Sequence, residues 1–305
     1  MRTLTTLLRT ELREAESRIA RELGDLPSSL RLHLHVQRKS PVLESRLFAA
    51  LVAGAAGGTP HEAIPICVLS GLSWAGVETL GRVGALQLLL HHLGSQAVSP
   101  RLRREWSNEL ERSLLPAEST RCAKPVGLAA TRQRYLTTAC MTARSAAHAR
   151  DAVMAVSLQG LTAATSEKWR EFGAWFGALM DLAASNVQDS VDGALVRPAR
   201  VVSPLLFAHT LESTSTHRRH HLLSLAEEAK HDTDARAVLH ELVSSRSGVF
   251  AYHRDVATLH DQARDRLIQL CTPGPYAERL LSDLDRWRTL AWVRPREVLG
   301  SAAQK

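Results

Sequence analysis

The stretch Glu167–Pro204, EKWREFGAWFGALMDLAASNVQDSVDGALVRPARVVSP, decides how this chain reads: a long apolar helix pattern that ends in a small acidic cluster. Phe172, Trp175, Phe176, Leu179, Leu182, Ala183, Asn186 and Asp189 fall at helical spacing, so Asn186 and Asp189 continue an apolar seam toward the C-terminal end. An ionised carboxylate on such a seam needs a metal ion, a basic partner or a proton. Asp189 and Asp192, three residues apart, can share one such partner. The same pattern also fits a helix end with solvated aspartates. Gly177 and the small residues Ala178, Ala183, Ala184 and Ser185 thin the helix and leave room for another helix or a ligand.

Working outward, most of the chain reads as helix. Ala and Leu dominate the hydrophobic residues, aromatics are only 5%, and β-branched residues are sparse, which favours helix over sheet. Upstream, Thr3–Leu23 is amphipathic and ends at Gly24–Pro27, and Ser28–Gln37 reads as a connector or short helix. Pro41 opens a helix whose small-residue run LFAALVAGAAGG closes at Gly57 and Gly58. Thr59, Pro60, His61 and Glu62 read as a helix start, with Thr59 as N-cap and Glu62 as its capping-box partner. The middle of the segment that follows is nearly free of charge and should be buried, with a break at Gly81 and Gly84 before a second apolar segment. Ser99 and Pro100 start another helix, Pro116–Gly127 is loop-like, and Ala130–Leu161 is helical. The central helix begins near Ser166 and Glu167. Downstream helices fall at about 203–212, 217–230, 232–245, 247–270 and 275–292. The expectation is an all-α fold in one domain over 1–305, with 1–40 as an N-terminal helix and connector.

A formal charge of +7 points to anions: diphosphates, nucleic acid, acidic proteins or a membrane surface. The arginines are spread along the chain with no basic arm or aromatic-interleaved stripe, so no nucleic-acid partner is expected. Cys67, Cys122, Cys140 and Cys271 lack zinc-ligand spacing and read as reduced thiols of a cytoplasmic protein. No segment has the length and apolarity of a membrane span. His217 and His221 share a helix face at metal-ligand spacing, but without an acidic or cysteine partner they read as a basic, solvated helix start. Arg101, Arg103 and Arg104 near Trp106, and Arg286 and Arg288 around Trp287, read as ordinary amphipathic faces.

Taken in order, the chain resembles the trans-polyprenyl diphosphate synthases of the class I isoprenoid synthase superfamily, which also contains terpene cyclases. The similarity runs over about residues 40 to 292. It rests on LFAALVAGAAGG, on PHEAIPICVL at 60–69, on Tyr135 with Leu136, on Phe172, Gly173 and Gly177, and on Gln188-Asp189-Ser190-Val191-Asp192 at the place of the second aspartate-rich motif. Arg200 stands where the family carries a lysine before Ser203-Pro204-Leu205, and PYAERLLSDLDRW follows the family's ending. The resemblance implies a helical bundle of the isoprenoid synthase type around a central cavity.

It also implies a site. Gln188, Asp189 and Asp192 are the candidate metal ligands, Arg200, Arg46 and Lys39 the candidate diphosphate ligands, and Trp74, Glu78, Phe176 and Asn186 the candidate cavity lining. The implied cofactor is magnesium, should the second motif function. The departures are as specific as the matches. Where the first aspartate-rich motif belongs, an ungapped reading places Gly81-Arg82-Val83-Gly84-Ala85, with Glu78 the only carboxylate nearby. Family members hold three magnesium ions between two acidic clusters, and one pair of aspartates cannot hold that array alone. The resemblance therefore implies a degenerate member that no longer elongates prenyl diphosphates alone and acts as a non-catalytic or regulatory subunit. Its partner would be a second copy or a catalytic homologue, with a prenyl diphosphate as a possible ligand. The alternative is a non-standard terpene cyclase or prenyltransferase that works on an allylic diphosphate through Asp189 and Asp192.

Overall fold

The computed structural model describes residues 47–115, 143–187, 204–229, 231–244 and 246–293, with residues 10, 13–15, 17 and 18 near the N-terminus. The helices are α1 (Phe48–Ala55), α2 (Ile64–Ser95), α3 (Pro100–Leu114), α4 (Ala143–Ser157), α5 (Ala163–Val187), α6 (Pro204–Ser213), α7 (Thr216–Glu228), α8 (Thr233–Val243), α9 (Arg246–Leu270) and α10 (Pro275–Leu290). A short 3-10 turn, Pro60–Ala63, joins α1 to α2. No strand occurs among the described residues. The protein is all-α there, as its alanine- and leucine-rich composition predicts.

The helix at the centre is α4, not α5. Ser145, Ala147 through Ala152, and Met154 through Val156 are all buried, because α1, α2, α3 and α5 pack around α4. On the far side of α5 lie α9 and α10, while α6, α7 and α8 form a lateral group that meets α9 through α6. The seam read from the sequence is correct where it can be seen: Phe172, Phe176, Leu179, Leu182 and Ala183 are buried in the core, with Trp175 half-buried at its edge.

Small residues set the spacing of the central pair. A Cβ on Gly173 would lie 2.5 Å from the carbonyl oxygen of His148, and one on Gly177 would lie 2.7 Å from that of Arg144. Contacts that fall along α4 as they rise along α5 make the two helices antiparallel. The room left by Gly177 is therefore taken by α4. Arg170 adds a clasp on the outside, where its Nη1 and Nη2 each donate to Glu109 of α3 at 2.7 Å and its Nε donates to Glu167 at 2.9 Å.

Helix ends follow local chemistry, with two departures from expectation. Gly57, at φ 87°, ends α1: its N–H donates to the Gly54 carbonyl at 3.2 Å and that of Gly58 to the Ala53 carbonyl at 2.9 Å. Ser99 caps α3 by accepting the Leu102 N–H at 3.3 Å. The capping box expected at Thr59 and Glu62 does not form. Thr59 makes no side-chain cap bond, and its carbonyl instead accepts the Glu62 N–H at 3.1 Å to close the 3-10 turn that starts at Pro60. The second departure is at α5, which starts three residues before Ser166, at Ala163, because Thr162 Oγ1 accepts the Thr165 N–H at 3.3 Å.

The break expected at Gly81 is present. This residue has φ 70° and ψ 178°, so α2 is two helical pieces that meet at a glycine in the left-handed region of φ. The later helices fall within a few residues of their expected bounds. The loop-like reading of Pro116–Gly127 and the connector reading of Ser28–Gln37 lie outside the described residues.

The packing of α4 on α5 makes a direct prediction. Alanine is the better helix former by about 1 kcal/mol, yet at Gly177 its methyl would strike backbone, which no rotamer change relieves. Gly177→Ala should destabilise by about 1–3 kcal/mol net, read as a lower urea midpoint at unchanged m-value. A raised midpoint would show that the helices can part without cost.

Candidate functional site

The described residues show only part of the site expected from the sequence. Gln188, Asp189, Asp192, Arg200, Arg46 and Lys39 lie outside them. Trp74 and Glu78 sit on the backbone of α2 before the Gly81 break, and Asn186 lies in the last turn of α5; the side chains of all three are outside the description. Phe176 is buried, and its ring centroid lies 4.8 Å from that of Phe48 and 5.6 Å from that of His148. It is part of a packed aromatic cluster that also holds Phe172.

The unexpected polar feature is inside the bundle. Arg150 and Asp151, neighbours on α4, are both buried. Arg150 Nε donates to Asp151 Oδ1 at 2.8 Å, and Nη2 lies 2.7 Å from the same oxygen but off the hydrogen-bonding direction, so that second contact is ionic only. The other carboxylate oxygen, Oδ2, accepts the Ser70 hydroxyl at 2.7 Å. Arg150 Nη1 donates to Ser73 Oγ at 3.2 Å and to Ser113 Oγ at 3.5 Å. One ion pair on α4 thus draws polar partners from α2 and α3. Burial of two charges is tolerated only when both are paired and their remaining donors and acceptors are met, and this network does most of that.

Two turns away on the same helix, Arg144 Nε lies 3.3 Å from Asp181 Oδ1, at the end of the α4 and α5 pair that leads to Asn186. His148 stands between the two ion pairs. Its Nδ1 donates to the Arg144 carbonyl at 2.8 Å, which leaves Nε2 as an acceptor with no hydrogen-bond partner among the described residues, against the Phe48 and Phe176 rings. Burial lowers the imidazole from 6.5 to about 4; the Arg144 carbonyl and Asp151 oppose that shift, while the charges of Arg144 and Arg150 add to it. His148 is therefore neutral at pH 7.

Reading Ala130–Leu161 as a helix does not by itself reveal this network. A signal was available. Ser70 and Ser73 are the polar residues in an otherwise apolar run, and Arg150 with Asp151 interrupts an alanine-rich one. A buried helix with charges needs such partners elsewhere.

The remaining candidates keep their ordinary readings. His217 and His221 are exposed, and no group of three or more metal-ligating side chains occurs among the described residues. Trp106 is buried and donates to Ser157 at 2.9 Å, while Arg101 pairs with Glu105 at 2.8 Å. Cys67 is buried and Cys271 half-buried, while Cys122 and Cys140 lie outside the described residues.

At the break itself, the start of the segment that the sequence resemblance aligns with the first aspartate-rich motif is open to solvent. Leu80 is 46% and Val83 59% exposed, with Arg82 exposed between them. No carboxylate is present from Gly81 to Ala85.

No protein-family model matches the chain, and no curated protein matches it. Solved structures do. A geranylgeranyl pyrophosphate synthase from Lactobacillus brevis superposes with a TM-score of 0.68 at 15% identity, over 93% of this chain and 96% of that one. One from Pyrococcus horikoshii gives 0.67 at 13% identity, over 94% and 98%. A further geranylgeranyl pyrophosphate synthase gives 0.62 at 10% identity, over 95% and 99%. The fold is that of the trans-polyprenyl diphosphate synthases. At these identities the likeness is one of backbone architecture. The sequence resemblance assigns the first aspartate-rich motif to Gly81–Ala85, in the middle of α2, and the second to 188–192, just beyond the described end of α5 at Val187. The break at Gly81 falls at the start of the first of these segments.

Two predictions test the interior. Asp151→Ala leaves a buried guanidinium without its counter-ion and should cost about 3–5 kcal/mol of unfolding free energy, whereas Arg150→Met combined with Asp151→Leu should recover most of that loss. Equal losses in the single and double variants would show that the pair carries no coupled charge. The second concerns pH. The unfolded chain takes up a proton at His148 near 6.5 and the folded chain only near 4, so the neutral imidazole's full contribution is present above 6.5. It is lost progressively as the pH falls toward 4, by an amount on the order of 3 kcal/mol. Urea titrations between those limits should show this loss, and His148→Phe should flatten that part of the profile.

Proposed function

We propose that this protein is a degenerate polyprenyl-synthase-like component of isoprenoid metabolism, unable to elongate prenyl diphosphates alone, that acts as a non-catalytic or regulatory subunit. One observation carries the reading. Where the fold's first acidic wall belongs, α2 is broken at Gly81 and carries exposed Leu80, Arg82 and Val83 with no carboxylate from Gly81 to Ala85. A divalent cation such as magnesium takes oxygen ligands, and this segment supplies no side-chain carboxylate. The donor set on that wall does not fit the metal array of an elongating enzyme, so no chemical step is assigned to it.

The partner in this reading is a second copy of the chain or a catalytic homologue. Leu80 and Val83 are apolar groups left in water beside a cation, a composition suited to contact with another protein rather than to holding a diphosphate between metal ions.

Calorimetric titration with geranyl, farnesyl and geranylgeranyl diphosphates, with and without magnesium, followed by product assay, tests this proposal. The expected result is no magnesium-dependent turnover with any of them, and no change in that behaviour on Asp189→Ala or Asp192→Ala. Product formed in the presence of magnesium and abolished by either substitution would overturn the proposal and establish a live prenyltransferase or cyclase site.

A further inference from the structure

The lateral helices are attached to one another before they are attached to the bundle. They pack in series: α7 lies on α8, α8 on α6, and α6 on α9. Side-chain bonds follow the same series. Arg236 of α8 donates from Nε and Nη2 to the Ala229 carbonyl just past α7, each at 3.3 Å. Arg219 of α7 donates to the Thr214 carbonyl at 2.8 Å and the Glu212 carbonyl at 3.3 Å, which ties the start of α7 to the end of α6. Thr210 of α6 donates to the Val243 carbonyl of α8 at 3.4 Å. Contacts that close within a group let it move as one piece.

Across to the bundle runs a bond of another kind. His209 of α6 and Asp255 of α9 are both buried, and His209 Nε2 donates to Asp255 Oδ2 at 2.9 Å. In so dry an interface a hydrogen bond to a carboxylate is strong while made and leaves a costly polar group when broken. It is therefore all or none: α6 cannot slip along α9 by a fraction of a turn and keep it. The rest of the group is lightly held. On α7, Leu222 and Leu225 are the buried side chains, and most of the others are exposed. A helix with few buried apolar contacts and much of its surface in water belongs to the low-stability end of a structure. By contrast, α4 is buried along its length.

We infer that α6–α8 opens from the bundle as one unit while α4 and α5 stay folded, with the His209–Asp255 pair as its latch. Opening uncovers the side of α9 that α6 covers. The far end of α9 stays in place, because Arg266 Nη2 lies 2.7 Å from Glu171 Oε2 of α5. This is a hinged group with a polar catch, a common form of built-in conformational switch. The inference is independent of the proposed subunit role.

Native-state hydrogen exchange of the full chain in low urea, read by mass spectrometry, tests it. Peptides from α6, α7 and α8 should share one opening free energy and one urea slope, both smaller than those of α4 and α5. His209→Ala should raise exchange in all three lateral helices by about tenfold or more and leave α4 and α5 unchanged. Asp255→Asn keeps an oxygen acceptor for Nε2 and should have a smaller effect. Arg170→Ala, which releases the clasp on the opposite side of the bundle, should leave the opening of α6–α8 unchanged. The unsubstituted chain alone decides whether the unit exists, so the test does not depend on every variant folding. One free energy and slope common to α6–α8, α4 and α5 would overturn the inference. So would a His209→Ala effect that is absent from α6–α8 or equal in α4 and α5.

Discussion

The bundle depends on a charge pair placed where charge is least tolerated. Arg150 and Asp151 sit on α4, the helix with no exposed face, and they are stable there only because Ser70, Ser73 and Ser113 reach them from two other helices. This network fixes more than energy. An apolar core tolerates small slips of one helix along another, since one aliphatic contact replaces the next. A carboxylate that must meet one hydroxyl at 2.7 Å and a guanidinium at 2.8 Å allows far less freedom, so α2 and α3 are held in register against α4. On its other side, α4 is held in place by Gly173 and Gly177 of α5, where the absence of a side chain rather than the presence of one sets the distance. The central helix is thus located by polar contacts on one flank and by backbone contact on the other.

Much of this was legible in the sequence, and the limits have physical causes. The apolar seam on α5, the Gly81 break, the Ser99 cap and the later helices follow from periodicity and from local end chemistry, which act over a few residues. Two helix starts were misplaced where local signals competed. At Thr59 the capping pattern was complete in letters, but Pro60 led into a 3-10 turn, and the Glu62 N–H that closes it bonds a backbone carbonyl instead of a side chain. At α5, Thr162 offered its hydroxyl four residues before Ser166 and set the start earlier.

The identity of the central helix was not legible at all. Arg144, His148, Arg150 and Asp151 look like one polar face of a surface helix. Their burial depends on serines up to 81 positions away, and no window of local sequence contains both sides of that bargain. The site shows the same division. Retained and missing carboxylates could be counted from the sequence. That Leu80 and Val83 take the open position at the break is a property of how α2 turns at Gly81, and only the folded chain displays it.

That turn also has an electrostatic consequence. At Gly81 the C-terminal end of one helical piece meets the N-terminal end of the next, so the negative pole of the first lies against the positive pole of the second and the two largely cancel. What an approaching ion meets there among the described side chains is the exposed guanidinium of Arg82, between Leu80 and Val83. The break therefore has no dipole of its own to offer an ion of either sign, and side chains alone choose the visitor.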